Sequence, residues 1–234
     1  MHSIASSFGR FYGSSIGKKW IVALTGLVLV GFLAGHLAGN LTIFLGQDAM
    51  NDYAEFLHHF LHGGGVWVAR IVLLISFVLH IVATIQLTIA NRAAREQRYA
   101  REVTQRASSG SRWMILSGIT ILAFVIFHLL HYTFQVWGGY DELMQTVGDK
   151  ERHDVYTMLI KGFSNPLVSL FYVIAIGLLS WHLSHGVASI FQTLGITTPS
   201  TEGLYKMVGL VFAIVIFIGY CAIPAAVLFG WVKA

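Results

Sequence analysis

The chain has 234 residues, of which 56% are hydrophobic and only 11% charged, with a net charge of +4. Soluble domains average about 25% charged residues, so this composition excludes a protein that keeps its whole surface in water. Five stretches free of Asp, Glu, Lys and Arg, at 20–47, 71–91, 113–140, 162–201 and 207–232, are each long enough to cross a bilayer, which takes about 20 apolar residues.

In chain order, the first 19 residues are polar and end in Lys18 and Lys19. The apolar run that follows is too long for a signal-peptide core, so no cleavable signal is expected. The first span contains His36, with Gly31, Gly35 and Gly39 recurring every four residues around it. An acidic connection follows (Asp48, Asp52, Glu55), leading into His58, His59, His62 and Arg70. The second span carries His80. The next connection is basic, with Arg92, Arg95, Arg98, Arg101, Arg106 and Arg112. The third span holds the doublet His128 and His131 in FHLLHYT, and a connection of mixed charge spans 141–161. Ser164-Asn165-Pro166 reads as a helix start, with Asn165 as cap and proline in the first turn. That fourth span carries His182 and His185 in SWHLSHGVAS. The fifth has no histidine; it contains Pro224 and the single cysteine, Cys221, which reads as an inert buried thiol.

The predicted fold is an all-α membrane protein, one domain over 1–234 built as a five-transmembrane-helix bundle. The spans are expected over about 20–46, 66–92, 112–138, 166–194 and 205–232. Positive residues favour the cytoplasmic side. The N-terminus and the Arg-rich connection are therefore expected inside, and the C-terminus outside. Five spans leave no separate soluble domain for catalysis, so no catalytic residue is expected.

Eleven histidines are many for so apolar a chain, and four of the five spans carry one near mid-membrane. Ionisable side chains in the bilayer are costly and usually functional. Depth can be counted at about 1.5 Å per residue. His36 and His128 lie about 25 Å and 24 Å from the cytoplasmic ends of their helices; His80 and His182 lie about 18 Å and 20 Å from theirs. This gives two levels, each with two imidazoles from different helices. Zinc gathers three or four ligands, often with Cys or carboxylate, and no Asp, Glu or thiol joins these histidines. Two imidazoles per level suit the axial positions of haem, and bis-histidine haem transfers electrons. No CxxCH occurs, so attachment would be non-covalent, as two b-type haems. Members of each doublet are three residues apart on one helical face, so counting does not choose between His128 and His131, or between His182 and His185. The second member could instead contact a propionate or a quinone, or face a neighbouring helix. Glycines beside His36 and His185 leave room for a macrocycle or for close helix packing.

The segments FYGSSIGKK, GHLAGNL, FHLLHYT and HLSHGVASIFQTLG, with His80, resemble the two-haem cytochrome b subunit of succinate dehydrogenase and fumarate reductase, in the branch with a single five-helix membrane anchor. The resemblance covers nearly the whole chain and is strongest at GHLAGNL and His182-Leu-Ser-His-Gly-Val. It implies His36 and His128 as ligands of the outer haem iron and His80 and His182 as ligands of the inner one, with His131 and His185 in supporting roles. It implies flavoprotein and iron–sulfur partner subunits in the cytoplasm, electron transport to a membrane quinone (menaquinone being expected of two-haem members), and a place in a bacterial-type cytoplasmic membrane. It implies that this chain alone does not oxidise succinate. Some fumarate reductases of the family carry a glutamate two residues before the fourth-span ligand. Here that place is Ser180, which tilts the expectation towards succinate oxidation in the tricarboxylic acid cycle.

Two quinone sites are candidates. One is inner, formed by Ser14, Ser15, Lys18, Lys19 and Trp20; the other is outer, formed by Glu55, His58, His59, His62 and Arg70. The rival readings are a di-haem cytochrome b of a hydrogenase or formate dehydrogenase, and a transporter using its histidines as a relay. No nucleic-acid partner is expected.

Overall fold

The computed structural model describes residues 4–94 and 109–234. Arg95, Arg98, Arg101 and Arg106 of the basic connection lie outside the described residues. A short helix α1 (Ile4–Gly13) leads into α2 (Ser15–Asn40), which a 3-10 turn over Leu41–Leu45 prolongs. Then come α3 (Gln47–His59), α4 (Gly64–Ala93) and α5 (Ser109–His128), the last continued by a π-helical turn over Leu129–Thr133. A hairpin of β1 (Met144–Val147) and β2 (Lys150–His153), α6 (Val155–Phe163), α7 (Pro166–Thr193) and α8 (Glu202–Leu228) complete the chain.

Five of these segments are long and apolar enough to cross a membrane: Ser15–Leu45, Gly64–Ala93, Met114–Thr133, Pro166–Thr193 and Glu202–Leu228. Their outward faces are apolar, with Leu27, Ile71, Leu74, Ile119, Ile174 and Ile218 each more than half exposed. So wide an apolar surface is not stable in water and belongs against lipid. The protein is a multi-pass membrane bundle.

Local chemistry sets the helix starts. Ser14 Oγ accepts from Gly17 N at 2.9 Å, so α2 begins several residues before the charge-free run does. Asn165 Oδ1 accepts from the amides of Leu167 and Val168, with Pro166 in the first turn of α7, as expected. Inside the bundle, α7 is the hub: α8, α5 and α2 all pack on it, while α4 rests on α2 and α3. Close approach of α8 to α7 depends on Gly209, where an added Cβ would lie 2.6 Å from the Ser184 carbonyl oxygen.

The structure agrees with an all-α membrane bundle and departs from the expected connections and span boundaries in three ways. The connection at 141–161 forms a two-stranded antiparallel hairpin, pairing Met144 with His153 and Val147 with Lys150. Gly148, at φ +61°, takes the first position of its two-residue loop, where a left-handed backbone favours glycine. The third span ends at Thr133 rather than near 138, because the chain leaves the helix through the π turn and Gln135 at φ +51°. The fifth runs Glu202–Leu228, slightly earlier than expected at both ends, and is closed by Gly230 at φ +70°.

These connections build a cap over one end of the bundle. Asn51 and Asp154 are both buried at its centre. Asp154 Oδ1 accepts from Asn51 Nδ2 (2.9 Å) and Thr157 N (3.1 Å), and its Oδ2 accepts from Gln47 Nε2 (2.7 Å). Asn51 Oδ1 in turn accepts from Tyr156 N. Burial alone would raise the Asp154 carboxyl, but the hydrogen bonds from Asn51, Thr157 and Gln47 outweigh it and hold it below its ordinary value. Arg152 reaches across the rim to Asp52, Glu55 and Asp48. The opposite, basic end carries Lys18, Lys19 and Arg92.

Candidate functional site

The four mid-membrane histidines come from α2, α4, α5 and α7, and fall into two groups along the bundle. Nearer the cap, the rings of His36 and His128 meet edge-on, with centroids 6.0 Å apart and planes at 80°. Their walls are aromatic: Phe32 stacks on His36 at 5.2 Å, Tyr220 lies 6.1 Å from it, and Phe124 lies 5.9 Å from His128. Asn40 Nδ2 donates to the His36 carbonyl at 2.7 Å and lies 3.4 Å from both ring nitrogens.

Nearer the basic end, His80 and His182 lie within electrostatic reach of each other. Each is anchored by a hydroxyl from a neighbouring helix. Thr25 Oγ1 lies 3.2 Å from His80 Nδ1, and Ser117 Oγ lies 3.0 Å from His182 Nδ1. Both hydroxyls donate their own proton back to their helix, Thr25 to the Ile21 carbonyl at 2.6 Å and Ser117 to the Met114 carbonyl at 3.0 Å. While that proton stays on the carbonyl, each oxygen can only accept from the ring; this tautomer puts the hydrogen on Nδ1 and leaves the Nε2 lone pair open. Gly26 makes room for His80, whose Cε1 would lie 3.4 Å from an added Cβ.

The doublet partners differ. His131 sits on the π turn and is 1% exposed, with Nδ1 3.0 Å from Tyr172 Oη and Nε2 3.1 Å from Tyr140 Oη. Both of its ring nitrogens are occupied. His128 meets the same Tyr172 hydroxyl through Nδ1 at 3.3 Å, and no hydrogen bond engages its Nε2 among the described residues. His185 lies half-buried close to one turn beyond His182, towards the basic end.

The separation of the pair near the cap is compatible with a metal held between two imidazoles. Two metal–nitrogen bonds of about 2 Å, plus the half-widths of both rings, span about 6 Å, which is the separation of His36 and His128. Ligating histidines characteristically donate their other N–H to a fixed acceptor, and Thr25 Oγ1 and Ser117 Oγ stand where they could accept from His80 and His182. Among the described residues, no three or more His, Cys, Asp or Glu gather as a metal cluster. The buried atoms Gln86 Oε1, Ser180 Oγ and Tyr132 Oη have no hydrogen-bond partner among the described residues. An unmet buried polar atom costs about 1–3 kcal/mol, so these atoms invite a bound group or water inside the bundle.

The glycines separate by role. Gly31 and Gly35 open onto free space, whereas Gly39 is filled by the Tyr53 ring. Of the first quinone set, Ser14 is spent on capping, and Lys18 Nζ lies 3.4 Å from the Gly13 carbonyl. Ser15 is exposed. Lys19 and Trp20 line a cleft of about 430 Å³ with Ile16, Ser189, Gln192 and Thr193, between α2 and α7. The second set is not brought together. Glu55 and His59 line a cleft of about 570 Å³ with Asp52, Lys150 and Arg152; His58, His62 and Arg70 do not, and Arg70 sits over the Trp67 ring.

No protein-family model, no curated protein and no solved structure matches this chain. Thr25, Ser117, Tyr172 and Tyr140 were not legible as site residues in the sequence. For the first two a signal was present, a hydroxyl in an apolar span, but only helix packing says which histidine it meets.

Proposed function

We propose that this chain is the membrane-anchor cytochrome b subunit of a succinate:quinone oxidoreductase. The observation that carries the proposal is the pairing of four histidines from four helices at two depths, with Nδ1 of His80, His182 and His128 each beside a hydroxyl. Haem, when bound, would supply a one-electron carrier at each depth. His36 and His128 would hold the haem near the cap, and His80 and His182 the one near the basic end. Thr25 and Ser117 orient their imidazoles, and the aromatic wall of Phe32, Phe124 and Tyr220 keeps water from the other pair. The basic residues Lys18, Lys19 and Arg92 support a cytoplasmic basic end, where the flavoprotein and iron–sulfur partners would dock. The capped end is then outside. The C-terminus belongs to the capped end too, since Tyr156 of α6 donates its hydroxyl to the Lys233 carbonyl.

Electrons would enter at the basic end and leave to a membrane quinone, menaquinone by the resemblance. The cleft at Lys19 and Trp20 has the cation and indole donors to hold a quinone carbonyl, and the cleft at Glu55 and His59 has groups that exchange protons. Ser180, with its orphaned hydroxyl, brings no carboxylate beside His182, which favours turnover as succinate oxidation.

The test is a reduced-minus-oxidised spectrum of the purified membrane protein, with haem counted as the pyridine haemochrome. Two b haems per chain are expected; none in folded protein would overturn the proposal. Co-purification with a flavoprotein carrying covalent FAD is expected, and a hydrogenase or formate dehydrogenase subunit in its place would reassign the enzyme.

A further inference from the structure

Four side chains form a continuous hydrogen-bonded line from the bundle interior to the cap. It runs from His128 Nδ1 to Tyr172 Oη (3.3 Å), on to His131 Nδ1 (3.0 Å), and from His131 Nε2 to Tyr140 Oη (3.1 Å). Its members come from α5, α7, the π turn and the loop before the hairpin, so no single element builds it. His131 is 1% exposed and Tyr140 is 5% exposed. The Tyr132 ring lies tilted against His131 at 4.1 Å, and Trp137 stacks on it at 6.1 Å. The far end is tied down as well: His153 Nε2 lies 3.0 Å from the Tyr140 carbonyl and 3.1 Å from Gln135 Nε2.

We infer that Tyr172 and His131 are positioning residues for His128. They fix its tautomer and ring direction, and they bar His131 itself from the iron. This rests on the haem reading above.

A metal on His128 would set the direction of the line, by counting protons. A tyrosine hydroxyl donates once, so Tyr172 accepts from one ring and donates to the other. With His128 Nε2 on a metal, its Nδ1 carries the hydrogen and donates to Tyr172 Oη. Tyr172 then donates to His131 Nδ1, which puts the His131 hydrogen on Nε2, where Tyr140 Oη accepts it. In this ordering each of the three contacts has one donor and one acceptor. The alternative, His131 on the metal, would strip a hydrogen bond from a fully buried ring nitrogen and leave Tyr172 or Tyr140 short of a partner. The π turn is what makes the line possible. It sends the Phe134 amide five residues back, to the Leu129 carbonyl at 2.8 Å, and presents His128 and His131 to the same hydroxyl. Single π turns recur at functional sites.

An acceptor on the distal nitrogen makes an imidazole a stronger donor to the metal, which stabilises the oxidised state; groups placed this way typically affect metal affinity 10–100-fold. Tyr172→Phe keeps the ring and removes the acceptor. In the purified two-haem protein the outer haem's midpoint potential is expected to rise and its low-spin ferric g-values to shift, with the inner haem unmoved. Outer-haem retention on dilution should fall about 10–100-fold. His131→Phe should shift the same signals in the same direction, and His131→Gln, which can donate and accept, should restore them towards wild type. If Tyr172→Phe does not fold, the two His131 variants decide the matter alone. Two haems per chain with an unmoved outer signal in every folded variant would overturn the inference and leave the haem reading standing. Fewer than two haems in the wild type would instead overturn the haem reading.

Discussion

At the basic end His80 and His182 are each fixed by one hydroxyl from an adjacent helix, whereas near the cap His128 leans on Tyr172, which also serves a second histidine bound to the cap. The first device is local. Thr25 and Ser117 bond to their own helix backbone, so two packed helices suffice. The second is assembled from two helices, a π turn and a loop, and cannot form until the cap is folded. The comparison teaches that one kind of side chain at two depths can be oriented with different cooperativity: pairwise at one end, collectively at the other.

The sharpest way to break the comparison is to remove a ring. His36→Ala or His128→Ala should cut haem from two to one per chain, with His80 and His182 keeping theirs, as read by pyridine haemochrome. Two haems in His128→Ala, together with one in His131→Ala, would reverse the assignment within the doublet. Next come the local anchors. Thr25→Val and Ser117→Ala should each weaken retention of the inner haem about 10–100-fold and leave the outer haem's spectrum unchanged; a change at the outer level would mean that the two levels are not independent.

Cap variants probe the collective device from a distance. Asp154→Asn should destabilise the cap by about 1–3 kcal/mol, seen as faster amide exchange at Tyr156 and Thr157. The sign of its pH dependence follows from a carboxyl held below its ordinary value. Its contribution is fully present above the unfolded carboxylate pKa of about 3.9 and is lost as pH falls through the lower folded value. Wild type should therefore loosen at the cap only in strong acid, and Asp154→Asn should lack that transition. The smallest effect belongs to Arg152→Met. Its carboxylate partners are 45–82% exposed, and such pairs contribute about 0–1 kcal/mol. An outer-haem signal that follows Arg152 would show the rim to be coupled to the line as well.

Some of this was legible in the residues alone. Asn165-Pro166 announced the start of α7, and the charge-free runs announced five crossings, because capping and bilayer thickness act on consecutive residues. The histidine pairs followed from rise per residue. The hairpin was missed although Gly148-Asp149 between Met144–Val147 and Lys150–His153 carried its turn chemistry; in a chain dominated by apolar periods, the short polar segment read as a connection. The π turn had no signal, since a single extra residue in a helix leaves the hydrophobic pattern intact.

The sequence by itself determined that the protein has five segments long and apolar enough to cross a membrane and that four of them carry half-buried imidazoles. Burial of apolar side chains and depth along a helix are properties of single segments. Only the tertiary structure decided which imidazole keeps a free nitrogen. His128 and His131 are three residues apart on one face and equivalent in sequence. They differ because Tyr172 and Tyr140, 44 and 9 residues away in sequence, reach the two of them unequally. A hydrogen bond is short and directional, so it is settled by where other segments come to rest.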